Sequence, residues 1–391
     1  MGIKTNPKKC MIMKQIGFSR MAPLLFGIVV SLLLRAQASG IDELVEPDSL
    51  ERIATGFMFT EGPVWHPDGY LLFSDVSANT IYKWLPDGTV ETFRSPSGHS
   101  NGLTFDRRGR LIACEYSNRR VSRTEPDGTI VTLVGEFNEN RLHSPNDAVV
   151  KSVGSIYFTD LYIPWAEEVY GLPSITPELL FNGVYRLSPD GETLELLESD
   201  IDMPNGLAFS PDEKVLYVSD IMGDTVYAFD VQPDGLLANR RVFTHLSGYP
   251  DGMKVDMRGN LYVAVMPGVL IYNSEGVHLG DIVTPEPPAN CAFGGADNST
   301  LFITAESSVY RVQMKVQGAR PIPDFNGDGV VDINDLVILI EYWGTDEALC
   351  DIAPAPFGDG IVDILDLELF MSYWEQENIP ENPETMSDCV W

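Results

Sequence analysis

Between about residues 50 and 316 the chain repeats one arrangement of short apolar runs separated by polar turns. Each copy starts at an oxygen-bearing residue and continues through a short apolar run, a turn with Asp, Pro or Gly, and a second apolar-aromatic run. These runs have the length and composition of β-strands. The copies read EGPVWHPDGYLLFSD, NGLTFDRRGRLIACE, NDAVVKSVGSIYFTD, NGLAFSPDEKVLYVSD, DGMKVDMRGNLYVAV and NCAFGGADNSTLFIT, and they begin at Glu61, Asn101, Asn146, Asn205, Asp251 and Asn290.

The period of this repeat predicts the fold. Successive copies begin 40, 45, 59, 46 and 39 residues apart, and repeats of this length with three or four short strands are typical of propeller blades. We therefore predict an all-β, six-bladed β-propeller over residues 39–318. A strand near residues 50–56 should complete the last blade and close the ring. The longest interval contains an insertion, residues 161–182, which should overhang one mouth of the central channel.

The first residue of each copy should lie at the start of an innermost strand, so all six should converge on the propeller axis. A ring of carboxylate and amide oxygens without Cys or His suits a hard cation, and calcium best, because calcium accepts about six to eight oxygens flexibly. Another divalent cation is the alternative. Asn-Gly and Asp-Gly are also ordinary turn dipeptides, which would explain Asn101 or Asn290 readily but Glu61 poorly.

The segments EGPVW, NGLTFD, SPNDAVV, YFTD, PNGLAFS and YPDGM, in this order, resemble the SMP-30/gluconolactonase/LRE-like propellers over about residues 48–316. The resemblance implies one divalent metal in the channel and hydrolysis of lactones or related esters. Position by position, it implies Glu61, Asn205 and Asp251 as metal ligands and Asn146 as a residue that contacts the substrate or the metal. Ser144 stands where animal members carry a substrate-binding Arg, and SPND looks more like the bacterial gluconolactonases.

We expect Asp251 to act as catalytic residue as well as ligand, by orienting or deprotonating the attacking water. Asn146, Asn101, His99 and His143 are candidate substrate-binding residues, because all lie near the starts of inner strands. Two other functions fit the same residues: a non-catalytic propeller that binds a ligand around a structural metal, and a metal-dependent hydrolase of phosphotriesters. Fold alone does not choose between these functions.

After residue 318 the sequence changes character and predicts a small α-helical domain over residues 319–376. Its first segment has the spacing of an EF-hand calcium loop, with Asp in place of the usual Glu at the last ligand position and a helix following from Ile333 to Trp343. The predicted ligands of this loop are Asp324, Asn326, Asp328, Val330 through its carbonyl, Asp332 and Asp335.

The pattern recurs 31 residues later, where Asp359, Asp363 and Asp366 repeat Asp328, Asp332 and Asp335. The tandem resembles a type I dockerin over about residues 322–376, which implies a cohesin-like protein partner. Positions 1 and 3 of the second loop fall on Ala355 and Phe357, which offer no side-chain oxygen. Either this loop binds calcium poorly, or Asp351 reaches in across the intervening loop.

The termini and the charge complete the prediction. Basic residues, the 14-residue apolar run of residues 21–34 and Ala36-x-Ala38 predict a signal peptide over residues 1–38. That run is shorter than the roughly 20 residues of a membrane anchor, so we expect a secreted, periplasmic or cell-surface protein without a membrane segment after cleavage. Residues 377–391 should form a flexible tail. The net charge of −31 argues against nucleic-acid binding. The pairing of Cys114, Cys291, Cys350 and Cys389 is not readable from their spacing.

Overall fold

A computed structural model describes residues 40–377, apart from the side chains of residues 375–377. The predicted signal peptide, Cys389 and all but the first residue of the predicted tail lie outside this range. Six four-stranded antiparallel sheets form a six-bladed β-propeller, as the repeat predicts. The first strand of each sheet contacts the first strand of the next, and the sixth contacts the first, so the ring is closed.

The blades use their strands in chain order from the axis to the rim. The four strands are, for blade 1, Thr60–His66, Tyr70–Asp75, Thr80–Trp84 and Val90–Arg94; for blade 2, Ser100–Phe105, Leu111–Glu115, Arg120–Thr124 and Ile130–Val134; for blade 3, Pro145–Val150, Ile156–Asp160, Gly183–Leu187 and Leu194–Glu198; for blade 4, Pro204–Phe209, Val215–Asp220, Thr225–Val231 and Leu237–His245; for blade 5, Met253–Val255, Leu261–Val265, Gly268–Tyr272 and His278–Val283; and for blade 6, Pro288–Gly294, Thr300–Ala305, Ser308–Gln313 and Glu51–Thr55.

Blade 6 takes its outer strand from the N-terminal side of the propeller. Glu51–Thr55 pairs antiparallel with Ser308–Gln313, so the predicted closing strand is confirmed. This arrangement ties the two ends of the repeat region together and gives blade 6 four strands like the other blades. A short hairpin, Glu136–Phe137 with Asn140–Arg141, links blades 2 and 3.

The core lies between neighbouring blades. Second strands such as Leu111–Glu115 and Leu261–Val265 are buried along their whole length, because each is covered by a blade on both sides. This explains why they read as continuous apolar runs rather than alternating ones. Outer strands such as Val90–Arg94 are largely exposed. Cys114, Cys291 and Cys350 are buried and unpaired.

The C-terminal segment forms two loop–helix units whose helices are α2, Ile333–Glu341, and α3, Ile364–Glu377. Helix α2 ends two residues earlier than predicted, and α3 runs one residue past the predicted end of the domain. A small core that includes Phe325, Leu339 and Phe370 joins the two units. No helix among residues 40–377 is long and apolar enough to cross a membrane.

This C-terminal module packs against the ends of the inner strands. The Phe357 ring lies 5.5 Å from that of Phe105 and 5.7 Å from that of His66, and buried Lys151 lies 3.9 Å from the buried carboxylate of Asp324. The predicted site residues stand at the opposite ends of the inner strands, at their starts. The module therefore covers the end of the channel that is remote from the site.

Candidate functional site

One cavity at the starts of the inner strands collects most of the predicted site residues. The residues at its wall that carry the prediction are Glu61, Asn101, Asn146, Asn205 and Asp251. They come from five different blades. Asn290, the sixth residue in this phase, lies beneath the cavity wall and hydrogen-bonds to Glu61.

A β-bulge re-aims the side chains at this level of the ring. The pairing of the first and second strands shifts register just after Glu61, between Pro145 and Ala148, and just after Pro204. The same shift occurs in blades 2 and 6. A bulge leaves a residue out of the ladder and turns its side chain, and here it turns the polar side chains towards the axis.

The glycines that follow the site residues allow the blades to approach each other. A Cβ at Gly62 would stand 2.1 Å from the Asn101 carbonyl oxygen, and one at Gly206 would stand 2.3 Å from the Asp251 carbonyl oxygen. The Glu-Gly and Asn-Gly pairs thus lie in strands packed backbone to backbone. The alternative that they are turn dipeptides is wrong at these positions, because glycine is required by close packing at the axis.

Asp147 belongs to the site although the sequence interpretation passed over it. It is 2% exposed. The Asn290 amide donates to Glu61 Oε2 at 3.1 Å and to Asp147 Oδ2 at 3.4 Å, so it bridges the two carboxylates. A Cβ at Gly102 would stand 2.4 Å from Asp147 Oδ1. The only signal in the sequence was its position directly after Asn146.

The site carries more negative charge than the protein around it compensates. Burial raises the pKa of Glu61 to about 7, and the charge of Asp147 adds to this effect. Burial, followed by the charges of Glu61 and Asp147, holds the pKa of Asp251 well above its usual range. Burial also raises the pKa of Asp147, against the opposing charge of Lys254. Three carboxyl groups in one desolvated place favour the uptake of a proton or a cation.

Four oxygen atoms of the ring are buried without a hydrogen-bond partner: Asn101 Oδ1, Asn146 Oδ1, Asn205 Oδ1 and Asp251 Oδ1. Buried hydrogen-bond acceptors normally have a partner, so these four oxygens are free to bind a cation or a hydrogen-bond donor of a ligand. Among residues 40–377, no three His, Cys, Asp or Glu side chains cluster as a metal site by themselves. A cation here would therefore depend on the amide oxygens together with the carboxylates, a donor set that suits calcium.

The insertion covers the mouth of this cavity, as predicted. Leu161, Ile163, Trp165, Tyr170 and Leu172 all line the cavity. The insertion contains the short helix α1, Ala166–Tyr170. Apolar contacts pack the insertion onto the propeller through the side chains of Val76, Tyr116, Ala166 and Leu172. The Tyr116 hydroxyl donates to the Pro173 carbonyl at 3.2 Å and fixes it further.

The structure does not bring His99 and His143 into the cavity. The half-buried His99 ring lies in a turn, where Nδ1 is 2.6 Å from Ser117 Oγ. His143 is 2% exposed, and its Nε2 lies 3.1 Å from the Phe181 carbonyl oxygen. Both histidines are therefore held by loop contacts. Ser144 does line the cavity, but its hydroxyl donates to the Leu161 carbonyl and is not free for a ligand.

The two C-terminal loops use the same hydrogen bonds. In the first loop the Asp324 carboxylate accepts from the backbone N–H groups three and five residues later, both at 2.8 Å. In the second loop the Asp351 carboxylate accepts from the N–H groups of Asp359 and Gly360 at 2.9 and 2.7 Å. Asp351 thus takes the place of Asp324, and the loop bypasses Ala355.

The last acidic residue of each loop also has the same role. Asp335 accepts from the N–H groups of Phe325, Asn326 and Asp332, and Asp366 accepts from those of Ile352, Ala353 and Asp363.

The other predicted ligands make local hydrogen bonds within the loops. Asp332 caps helix α2. The carboxylates of Asp328, Asp359 and Asp363, and the amide oxygen of Asn326, accept from N–H groups two residues later. Both loops are thus closed by their own backbone.

Comparisons with known proteins agree with this geometry. The SMP-30/Gluconolactonase/LRE-like region model matches residues 59–307. The chain is 36% identical to a gluconolactonase of Zymomonas mobilis, over 69% of this chain and 82% of that protein. It is 28% identical to a pentonolactonase of Haloferax volcanii, over 64% of this chain and 83% of that protein. A solved gluconolactonase structure from Xanthomonas campestris superposes with a TM-score of 0.66 at 36% identity, covering 70% of this chain and 92% of that one. The chain belongs to the SMP-30/gluconolactonase/LRE-like family.

Proposed function

We propose that this protein hydrolyses lactones in the cavity at the propeller axis, with the help of a divalent cation. The observation that carries the proposal is the set of four buried, unpaired oxygens that line one cavity together with Glu61. Family relatives named as gluconolactonase and pentonolactonase support lactones as the substrate class.

Glu61, Asn146, Asn205 and Asp251 would hold the cation, and calcium fits their oxygens best. Asn101 lines the same cavity and its Oδ1 atom is also unpaired, so it would contact either the cation or the substrate. A divalent cation bound there supplies Lewis-acid polarisation of a carbonyl group and offsets the carboxylate charge. Asp147 contributes further negative charge from beneath the ring and would strengthen cation binding.

The residues of the chain account for the other requirements of hydrolysis. Apolar side chains of the insertion, among them Ile163 and Leu172, cover the cavity and limit the access of bulk water. Asp251 Oδ1 accepts no hydrogen bond among the described residues. It would accept one from the attacking water and take up its proton as the new carbon–oxygen bond forms.

A panel of lactones assayed with full-length protein tests this function. We expect hydrolysis of sugar lactones with calcium, and loss of activity after chelation that calcium restores. Binding of calcium is measured separately by calorimetry. Tight calcium binding without hydrolysis of any lactone would favour the ligand-binding propeller instead, and hydrolysis of phosphotriesters alone would favour that other ester class.

We further propose that the C-terminal module is a calcium-binding, dockerin-like unit that docks a cohesin-like partner. Its exposed apolar side chains support this proposal, because Val330 and Ile333 in the first unit recur as Ile361 and Ile364 in the second. Pull-down of full-length protein on a cohesin panel, with and without calcium, tests it. If the full-length protein binds none of the cohesins in the presence of calcium, the proposal of a cohesin-like partner is wrong.

Export through the N-terminal segment is also a proposal. The basic and apolar stretches before Ala38 support it. Sequencing of the mature N-terminus from expressing cells should begin at Ser39. A chain that stays in the cytoplasm with its first 38 residues intact would refute export.

A further inference from the structure

Three side chains that line the cavity carry hydroxyl groups, and only one of these hydroxyls makes no hydrogen bond to the described residues. Ser144 donates to Leu161, and Tyr116 donates to Pro173. The hydroxyl of Tyr170 has no hydrogen-bond partner among residues 40–377. The amide and indole N–H groups at the wall can donate a hydrogen bond but cannot give up the proton, and the carboxyl groups of Glu61 and Asp251 would be ionised when they hold the proposed cation. Tyr170 is therefore the wall residue able to transfer a proton to a guest.

The fold holds Tyr170 in a defined position. It is the last residue of helix α1, and Gly171 ends the helix in the left-handed conformation at φ 67°. The Tyr170 ring packs on the Phe59 ring with centroids 4.8 Å apart. The Ser77 hydroxyl donates to the Tyr170 carbonyl at 2.8 Å. These contacts hold the residue at both its ring and its backbone, so the scaffold fixes the position of the side chain in the cavity wall.

The phenol of Tyr170 lies within the electrostatic reach of the proposed reaction centre. Burial, followed by the negative charges of Asp251 and Glu61, raises the pKa of Tyr170 to about 12. The group therefore stays protonated at neutral pH. It stands on the insertion and lines the same cavity as Glu61 and Asp251.

We propose that Tyr170 is a catalytic residue that protonates the ring oxygen of the lactone as that oxygen leaves the carbonyl carbon. This inference rests on the proposed lactone hydrolysis. Water forms the new bond to the carbonyl carbon and loses a proton to Asp251. The ring oxygen departs with the electron pair of the broken carbon–oxygen bond and takes the proton from Tyr170. The tyrosinate then regains the proton that water lost, so the reaction consumes one water and yields one hydroxy acid.

The test compares leaving groups in the Tyr170→Phe variant of the full chain, assayed with calcium. An aliphatic lactone such as δ-valerolactone releases a strongly basic alkoxide that needs a proton. Dihydrocoumarin releases a phenolate that does not. We expect kcat on the aliphatic lactone to fall by about a hundredfold, within the range for general acid catalysis, and kcat on dihydrocoumarin to change by less than about threefold. An equal fall on both substrates, or no fall on the aliphatic lactone, would overturn the proposal.

Tyr70→Phe is the matched control, because Tyr70 stacks on His66 at the far end of the inner strand of blade 1. This substitution should leave both rates unchanged. Tyr170→Phe keeps the ring contact with Phe59, and an unchanged melting temperature checks that the cavity is intact. The two proposals fail differently. If the unmodified protein hydrolyses neither lactone, lactone hydrolysis itself is wrong. If it hydrolyses both and Tyr170→Phe shows no dependence on the leaving group, only the role of Tyr170 is wrong.

Discussion

Replacing Glu61 by Gln should stabilise the cation-free protein while it weakens cation binding. In the folded protein the pKa of Glu61 rises from 4.5 to about 7, chiefly through burial and the charge of Asp147. Below pH 4.5 the carboxyl is protonated in both folded and unfolded chains, so the raised pKa of Glu61 does not lower the folding stability. As the pH rises from 4.5 to 7 the unfolded chain ionises first, and folding stability is lost. The full difference between the unfolded and folded pKa values corresponds to about 3 kcal/mol of folding free energy.

Thermal unfolding of full-length protein in chelator, between pH 4.5 and 8, measures this effect. At about 2 °C per kcal/mol for a large domain, the melting temperature of the unmodified propeller should fall by about 6 °C more than that of Glu61→Gln. Calcium should remove most of the difference, because it compensates the same charge. The control is Glu51→Gln, an exposed partner of Arg311, which should change stability by less than about 0.5 kcal/mol. A destabilised Glu61→Gln protein at pH 8 in chelator would refute the reasoning.

Three more predictions follow from the same geometry. Asp251→Asn should abolish lactone hydrolysis while the protein still melts cooperatively, and near-normal turnover would exclude Asp251 as the base. Gly206→Ala should lower stability by about 1–3 kcal/mol in urea unfolding, because its Cβ would stand 2.3 Å from the Asp251 carbonyl oxygen; an unchanged midpoint would contradict the close approach. Phe357→Ala should loosen the C-terminal module, since it removes the ring packed on Phe105 and Gly109. Faster proteolysis between the module and the propeller would show this, and an unchanged digestion pattern would argue against the contact.

The six blades and the ring of oxygen-bearing residues at the axis could be predicted because both follow from the repeat period. Every blade needs a second strand buried on both faces, which leaves a continuous apolar run in the sequence. A residue at one phase of the repeat must also lie at one height on the axis. Glu61, Asn205 and Asp251 share one phase, so they meet in one cavity although they are far apart in the chain.

The features that sequence reasoning missed lack such a period. Asp147 turns towards the axis because of the bulge between Pro145 and Ala148, and simple strand alternation would point it away from Asn146. Tyr170 stands in an insertion without a counterpart in other blades. Asp351, by contrast, was one of two alternatives that the sequence left open for the second loop, and its hydrogen bonds to the N–H groups of Asp359 and Gly360 decide in its favour.

The central claim is that side chains from separate blades jointly hold a cation at the axis. Anomalous diffraction from a crystal of full-length protein grown with calcium tests this most directly. We expect a calcium peak about 2.3–2.6 Å from oxygens of Glu61, Asn146, Asn205 and Asp251, separate from any peak in the C-terminal loops. Peaks in those loops alone, with only water between the four side chains, would contradict it.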